Sequence, residues 1–305
     1  MIDVGIVGVG TYLPEKTMKA AEIARLTNGV WSEDAVINKL GIKQRYLPGP
    51  DDGTQEMGAK AALKCLENTG VDPKEIDVIL CIGEEWKEYP LTTSACYIQD
   101  RIGATNAWGI DVQNRCCTCV SAMKIAADML RADDEINTIM ICGGYRNGDF
   151  VDFTDKDMSM MYNLSAGGGA IILKKNYGKN LLLGSKIMSD GSLARTAGVE
   201  IGGIAHPFTK DNIEEGYKSL RLLEPRYIRG HKADKGRGQH HSYSGAERLS
   251  DAQNRGLRLC VGAWQNQYAG SRKRADSRRA PCGGVSWRQK GLSRSKSVFL
   301  SRKGQ

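Results

Sequence analysis

Short apolar runs bounded by glycine or polar residues alternate with segments of helical period through the first 184 residues, and that alternation sets the fold class. Residues 2–9 run apolar and end in the turn chemistry of Val7-Gly8-Val9-Gly10-Thr11-Tyr12-Leu13-Pro14. In residues 55–70 the positions Met57, Ala61, Ala62 and Cys65 recur at three- and four-residue steps, and Gly70 supplies a stop. Asp77–Gly83 is a short apolar run suited to a buried strand; residues 91–102 read as the next helix, closed by Gly103. Trp108–Val112 reads as a strand, and from Cys116 the stripe Cys116, Val120, Met123, Ala127, Leu130 has helical spacing. Further strands are expected at Thr138–Gly143, Ala170–Leu173 and Leu181–Gly184. Strands alternating with helices imply an α/β fold with a mostly parallel sheet covered on both faces.

The pattern stops near residue 225. Of the 80 residues from 226 onward, 24 are apolar, all ten methionines lie before them, and Arg, Ser and Gly make up 34. Residues 1–225 carry a net charge of −7 and residues 226–305 carry +15, so the +8 of the whole chain belongs entirely to the tail. No stretch of the tail keeps a strand or helix period for more than a few residues, which predicts a segment without a packed core. A basic tail can bind nucleic acid, but this one has few aromatic residues and no known binding module, so no nucleic-acid partner is expected. The abrupt change in composition instead suggests that the reading frame shifts near residue 226. No apolar run is long enough to span a bilayer, so no membrane partner is expected. The cysteine count of nine is odd, and the chain opens without a charged stretch and apolar leader. Both point to free thiols in a reducing, cytoplasmic setting.

Chemistry concentrates at Asp111-Val112-Gln113-Asn114-Arg115-Cys116-Cys117-Thr118-Cys119, where a strand gives way to a helix. A thiol at that junction faces the unpaired N–H groups and positive dipole end of the helix, which favour the nucleophilic thiolate. Cys116 is the expected catalytic nucleophile. Cys117 and Cys119 are read as packing residues, with Cys117 kept as the alternative nucleophile. Cys-Cys-x-Cys is not a usual zinc spacing, so no metal is expected. His206 is a lone loop histidine with no catalytic role assigned.

These segments together resemble the thiolase-like condensing enzymes, in particular the β-ketoacyl-ACP synthase III branch and its relative HMG-CoA synthase. The resemblance rests on Val4–Pro14, Gly41-Ile42-Lys43-Gln44-Arg45, Ser94–Gln99, Asp111–Cys116, Leu164-Ser165-Ala166-Gly167-Gly168-Gly169-Ala170 and Ser189-Asp190-Gly191-Ser192, and covers about residues 1–225. It implies an α-β-α-β-α layered fold of two similar halves. Residues 1–175 would be a complete first half carrying the nucleophile. Residues 176–225 would begin the second half, and residues 226–305 would be a poorly ordered, out-of-frame tail. The implied activity is acyl transfer by Claisen condensation in fatty acid biosynthesis. Cys116 would take an acyl group from acyl-CoA, and malonyl-acyl carrier protein would then be the extender. Acyl-CoA and acyl carrier protein are thus the implied partners, the chain would be a homodimer, and no cofactor beyond these thioester substrates is implied.

The family's second half supplies a His and an Asn that handle the extender. Neither is found here in a matching setting, so the resemblance implies an impaired condensation step. In the HMG-CoA synthase-like alternative, Glu85 stands where that branch carries a general acid/base glutamate; a solvated loop carboxylate is the competing reading. Arg45 and Trp31 are candidates for binding the CoA nucleotide, by phosphate pairing and adenine stacking, against a surface Arg and a half-buried Trp. Gly167-Gly168-Gly169 is expected at a close backbone approach near the active site or a dimer interface. A non-catalytic product remains as the reading from a different class.

Overall fold

The computed structural model describes residues 2–83, 86–189, 191, 194–195, 197–216, 220–223 and 285–288. In chain order the strands and helices are β1 (Val4–Tyr12), β2 (Thr17–Lys19), α1 (Ala20–Leu26), α2 (Glu33–Asn38), β3 (Gln44–Tyr46), α3 (Thr54–Thr69), β4 (Val78–Cys81), α4 (Ser94–Ile102), β5 (Trp108–Asp111), α5 (Thr118–Ala132), β6 (Thr138–Tyr145), β7 (Gly167–Lys175), β8 (Leu181–Ser185), β9 (Ala197–Val199), α6 (Ile213–Gly216), β10 (Leu220–Leu222) and β11 (Val285–Arg288).

The main sheet has the order β11-β8-β1-β7-β6-β4-β5. Here the expectation of a mostly parallel sheet is corrected. β4 pairs in parallel with β5 and with β6, whereas β7 runs antiparallel to both β6 and β1. The cause is the connection between β6 and β7. It contains the short 3-10 turns Asn147–Phe150 and Lys156–Met161 rather than a crossover helix, so the chain returns against its own direction. Because β7 opposes both neighbours, β1, β4, β5 and β6 still share one direction. The strand β8, expected to open the second half, pairs with β1 inside this same sheet, so the sheet continues past residue 175.

The strand faces alternate as the period of two requires. Ile79, Cys81, Met140 and Cys142 turn to one side, where they pack with Ala61, Ala62 and Cys65 of α3 and Ala95 and Ile98 of α4. Val78, Leu80, Ile139 and Ile141 turn to the other, against Ala122, Met123, Ala126, Ala127 and Leu130 of α5. Full burial of a Met or Leu such as Met123 and Leu130 contributes roughly 1.5–3 kcal/mol each. The described residues thus build an α-β-α sandwich, three of the five layers that the resemblance implies. A third apolar cluster joins α1 and α2 to Val151 and Tyr162.

α3 lies against the sheet so closely that glycine is required beneath it. A Cβ at Gly168 would stand 2.1 Å from the carbonyl oxygen of Met57, and one at Gly10 would stand 2.3 Å from that of Ala61. The close approach expected at Gly167–Gly169 is therefore made at Gly168, against α3. Among the described residues no helix is long and apolar enough to cross a membrane. The expectations for residues 226–305 lie outside the described residues, apart from β11, which pairs antiparallel with β8.

Candidate active site

The strands β4, β5 and β6 end side by side, and the chain leaving β5 carries the three cysteines. Val112 N–H still bonds to the Cys81 carbonyl at 2.8 Å, and the backbone then breaks from the sheet. Arg115 adopts φ of +50°, a left-handed conformation that costs a non-glycine residue free energy. The Thr118 hydroxyl holds this turn. It donates to the Arg115 carbonyl at 2.6 Å and accepts from Asn114 N–H at 2.8 Å. The Asn114 side chain bonds to Ser121 Oγ at 2.7 Å. Residues Arg115–Cys117 form one 3-10 turn that feeds directly into α5.

Cys116 therefore sits two residues ahead of α5 and is exposed. Cys117 and Cys119 are each half-buried. Burial pushes the Cys117 thiol up, and negative charge on Cys116 pushes it further; burial also raises Cys119. Cys119 packs against the core on the α5 side of the sheet.

The neighbouring helices differ from α5 at their N-termini. Glu88 caps α3: its carboxylate accepts Gln55 N–H at 2.9 Å and Glu56 N–H at 3.3 Å, and fills the space where a Gly53 side chain would stand. Asp111, the last residue of β5, caps α4 by accepting Ser94 N–H at 3.0 Å and Ala95 N–H at 2.8 Å. Lys87 closes on the same carboxylate at 3.1 Å. Each carboxylate offsets the positive dipole end of its helix. The first turn of α5 carries no acidic residue, and its N-cap, Cys117, makes no side-chain cap bond. The field at that end is thus left for the turn that holds Cys116.

The other sequence candidates fall elsewhere. Arg45 is only 4% exposed. Its Nη2 donates to the Gly148 carbonyl at 3.0 Å and the guanidinium lies 5.3 Å from the Phe153 ring centroid. Burial pulls its pKa down, and among the described residues Nε and Nη1 have no protein partner. The guanidinium is thus enclosed by protein rather than presented at the surface. Its two unpaired nitrogens call for water or a polar group to enter. Trp31 is half-buried and borders the α1–α2 cluster, and its backbone N–H donates to Thr27 Oγ1 at 3.1 Å. Phe153 packs on that cluster too, so Trp31 and Arg45 border one apolar region. Glu85 lies outside the described residues; Trp86 beside it sets its ring edge on Phe150 at 4.9 Å. His206 is exposed.

Three features of the site went unread in the sequence: the carboxylate caps Glu88 and Asp111 and the Thr118 latch. Gly53, which has no side chain to offer, was the sequence signal that the α3 cap comes from elsewhere; Thr93, a favoured N-cap residue that makes no cap bond here, hid the one on α4. A cavity of about 490 Å³ opens beside these caps, lined by Gly53, Gln55, Glu56, Glu88, Tyr97 and Arg146. Among the described residues no group of three or more His, Cys, Asp or Glu is placed to hold a metal ion.

The mixed sheet between helix layers, with a cysteine on the turn leaving its edge strand, is shared with solved structures of the thiolase fold. The family model for 3-oxoacyl-(acyl-carrier-protein) synthase III matches residues 110–191, which contain that turn. β-Ketoacyl-(acyl-carrier-protein) synthase III of Syntrophomonas wolfei is 29% identical over 219 residues, covering 72% of this chain and 64% of the relative. That of a Sulfurovum species is 25% identical over 214 residues, covering 70% and 62%. The solved structure of 3-oxoacyl-(acyl-carrier-protein) synthase III from Aquifex aeolicus superposes with a TM-score of 0.59 at 19% identity, covering 76% of this chain and 69% of that one. The chain is β-ketoacyl-acyl-carrier-protein synthase III-like over a partial segment, and it spans less than two thirds of the length of these curated relatives.

Proposed function

We propose that Cys116 is an acyl acceptor of the β-ketoacyl-ACP synthase III type. The supporting observation is its position: exposed, on a strained turn, just ahead of a helix whose first turn carries no acidic residue. The thiolate attacks the thioester carbonyl of an acyl-CoA, the tetrahedral oxyanion collapses, and CoA leaves as its thiolate. In the complete reaction the carbanion from decarboxylated malonyl-acyl carrier protein then attacks acyl-Cys116. The curated relatives are named β-ketoacyl-(acyl-carrier-protein) synthase III, which supports acyl carrier protein as a substrate; acyl-CoA follows from the resemblance. The His and Asn that handle the extender in the family have no counterpart in residues 1–225. We therefore expect this chain to stop at the acyl-enzyme.

Incubation with isotopically labelled acetyl-CoA tests the reading. The expected product is one acetyl group on Cys116, absent in Cys116→Ala. An unlabelled wild-type protein, or a label that stays in Cys116→Ala, overturns it.

The homodimer belongs to the same proposal. β5 is the edge of the sheet, and its Trp108 and Ile110 are 48% and 46% exposed. An exposed edge strand with large apolar side chains is a template for a second copy. Sedimentation should give a dimer for the wild type and a monomer for Ile110→Lys; a wild-type monomer at high concentration refutes it. A cytoplasmic location is proposed with it, in keeping with the free thiols.

A further inference from the structure

We propose that Cys116 and Cys119 are a dithiol pair, and that closing them into a disulfide is an oxidant-sensitive modification of the acyl-accepting turn. Its regulatory consequence rests on the acyl-acceptor reading above; the disulfide itself does not.

The residues Cys116-Cys117-Thr118-Cys119 form a Cys-x-x-Cys run across the junction between a 3-10 turn and α5. Helix geometry fixes how far apart its ends stand. Three steps of α-helix separate two Cα atoms by roughly 5 Å, and three steps of 3-10 helix by roughly 6 Å. Both values fall inside the window of about 4.4–6.8 Å that a disulfide spans. Cys117 cannot take the place of Cys119, because adjacent Cα atoms are only about 3.8 Å apart. Direction agrees with distance. A helical side chain leans toward the N-terminus of its helix, so Cys119 leans toward the turn that carries Cys116.

The two thiols also differ as such a pair requires. Cys116 is exposed and meets an oxidant first. Cys119 is half-buried against the core, where burial keeps it protonated and unreactive until a partner sulfur is activated beside it. The buried cysteines do not compete: Cys81 and Cys142 of the sheet and Cys65 of α3 lie in the core on the α3 face.

The chemistry needs a peroxide as oxidant. The Cys116 thiolate attacks one peroxide oxygen; with one proton taken up, this gives sulfenic acid and one water. The Cys119 sulfur then attacks the sulfenic sulfur, forming the S–S bond, and the hydroxyl leaves with the Cys119 proton as a second water. Two thiols have been oxidised and one peroxide reduced to two waters. A dithiol reductant reverses the step by exchange. While the bond is closed, no thiolate is present to receive an acyl group.

Trypsin cuts after Arg115 and Lys124, so one peptide, 116–124, carries all three thiols together with the Met123 thioether, which fragmentation tells apart. The full chain is treated with hydrogen peroxide at a several-fold molar excess over protein, alkylated without reductant, digested and fragmented in a mass spectrometer. The expected wild-type peptide has lost two hydrogens and carries the alkyl group on Cys117. In Cys119→Ser and Cys119→Ala the loss disappears and Cys116 instead gains two or three oxygens, whereas Cys117→Ser behaves as wild type. A hydrogen loss that survives in both Cys119 variants, or wild-type Cys116 that gains oxygens with no loss of hydrogen, overturns the pair. Labelled acetyl-CoA separates the two proposals. Loss of labelling on oxidation and its return with dithiothreitol supports both. A disulfide in a protein that never labels when reduced leaves the pair standing and removes the acyl-acceptor reading.

Discussion

The seating of α3 on Gly168 offers a sharp test of how the fold is held together. Gly168 faces α3, and a methyl group there would fall 2.1 Å from the Met57 carbonyl oxygen and 2.7 Å from its carbon. Ordinary contact begins at 3.4 Å, so α3 must retreat by more than 1 Å. Both atoms are main chain, and no rotamer change relieves them. The helix must therefore lift as a body, away from β1 and β7. A radial gap of about 0.5–1 Å already forfeits a quarter to a half of each dispersion contact, and Met57, Ala61, Ala62 and Cys65 are all fully buried at that surface. Overpacking costs about 1–3 kcal/mol where side chains can yield; here we expect Gly168→Ala to reach about 3 kcal/mol or more. The neighbouring Gly169 has nothing within 4 Å of its would-be Cβ, and Gly169→Ala should change stability by less than about 0.5 kcal/mol. At about 2–4 °C per kcal/mol for a domain of this size, Gly168→Ala should melt roughly 6–12 °C below the wild type. Urea titration followed by far-ultraviolet circular dichroism measures the same difference at constant slope. If the two alanine variants melt together, the direct seating of α3 on the sheet is wrong.

Asp111→Ala should cost about 2–3 kcal/mol, since it removes two charge-assisted N–H bonds from the start of α4 and leaves Lys87 without its carboxylate; Asp111→Asn should cost less, and a melting point equal to wild type for Asp111→Ala would contradict the cap. Brief iodoacetamide treatment at neutral pH should modify Cys116 and Cys96 and spare the buried thiols. Burial holds Cys65 at about 11 and Cys81 at about 12 and raises Cys142 as well. A peptide map in which Cys81 reacts as fast as Cys116 would refute this. Acid should destabilise the fold through carboxylates whose folded pKa values lie below their ordinary ones. Arg101 and Tyr97 lower Glu56, and Lys174 and the Asp72 N–H lower Glu75. Burial raises Asp52, but bonds from Tyr12, the Gly49 N–H and Lys60 outweigh it. Their contribution is complete above the ordinary carboxylate range of about 4 and is lost as pH falls through the lower folded values. The melting temperature should therefore stay level from about pH 7 to 5 and drop below about pH 4, less steeply in Glu56→Gln; an unchanged acid limb in that variant would count against the Arg101 pair.

Where a feature is local, the sequence showed it. α3 ends at Gly70 and α4 at Gly103 because both glycines take the left-handed conformation at the helix end, with φ of +67° and +73°. The helix beginning near Cys116 shows as a stripe because Val120, Met123, Ala127 and Leu130 all enter one core. α1 and α2, of seven and six residues, are too short to carry a period, and tertiary packing on Val151 and Tyr162 holds them. The start of β7 was hidden by its own glycines. Gly167–Gly169 look like a loop, yet they are strand because α3 passes over Gly168. The antiparallel course of β7 is a property of the long connection before it, which has no signature in the strand itself.

The site divides along the same line. That Cys116 lies at a strand–helix junction follows from the single run Asp111–Cys119, and the family likeness of residues 110–191 spans the same stretch. That Arg45 is enclosed, with its Nη2 on the Gly148 carbonyl, joins residues 103 apart and follows from no local pattern. The caps were equally distant: Glu88 reaches back 33 residues to Gln55, and Asp111 reaches back 16 to Ala95. Together they give the cysteine turn its contrast. Two helix N-termini beside the sheet are capped by carboxylates that arrive from elsewhere in the chain, whereas among the described residues the first turn of α5 carries no acidic residue. A carboxylate placed there should act against the thiolate twice, by capping the free N–H groups and by repelling its charge. Ser121→Asp, in the first turn of α5 and bonded to Asn114, should thus slow alkylation of Cys116 at neutral pH while leaving Cys96 unchanged. Equal slowing at both cysteines would mean that the α5 terminus has no particular hold on Cys116.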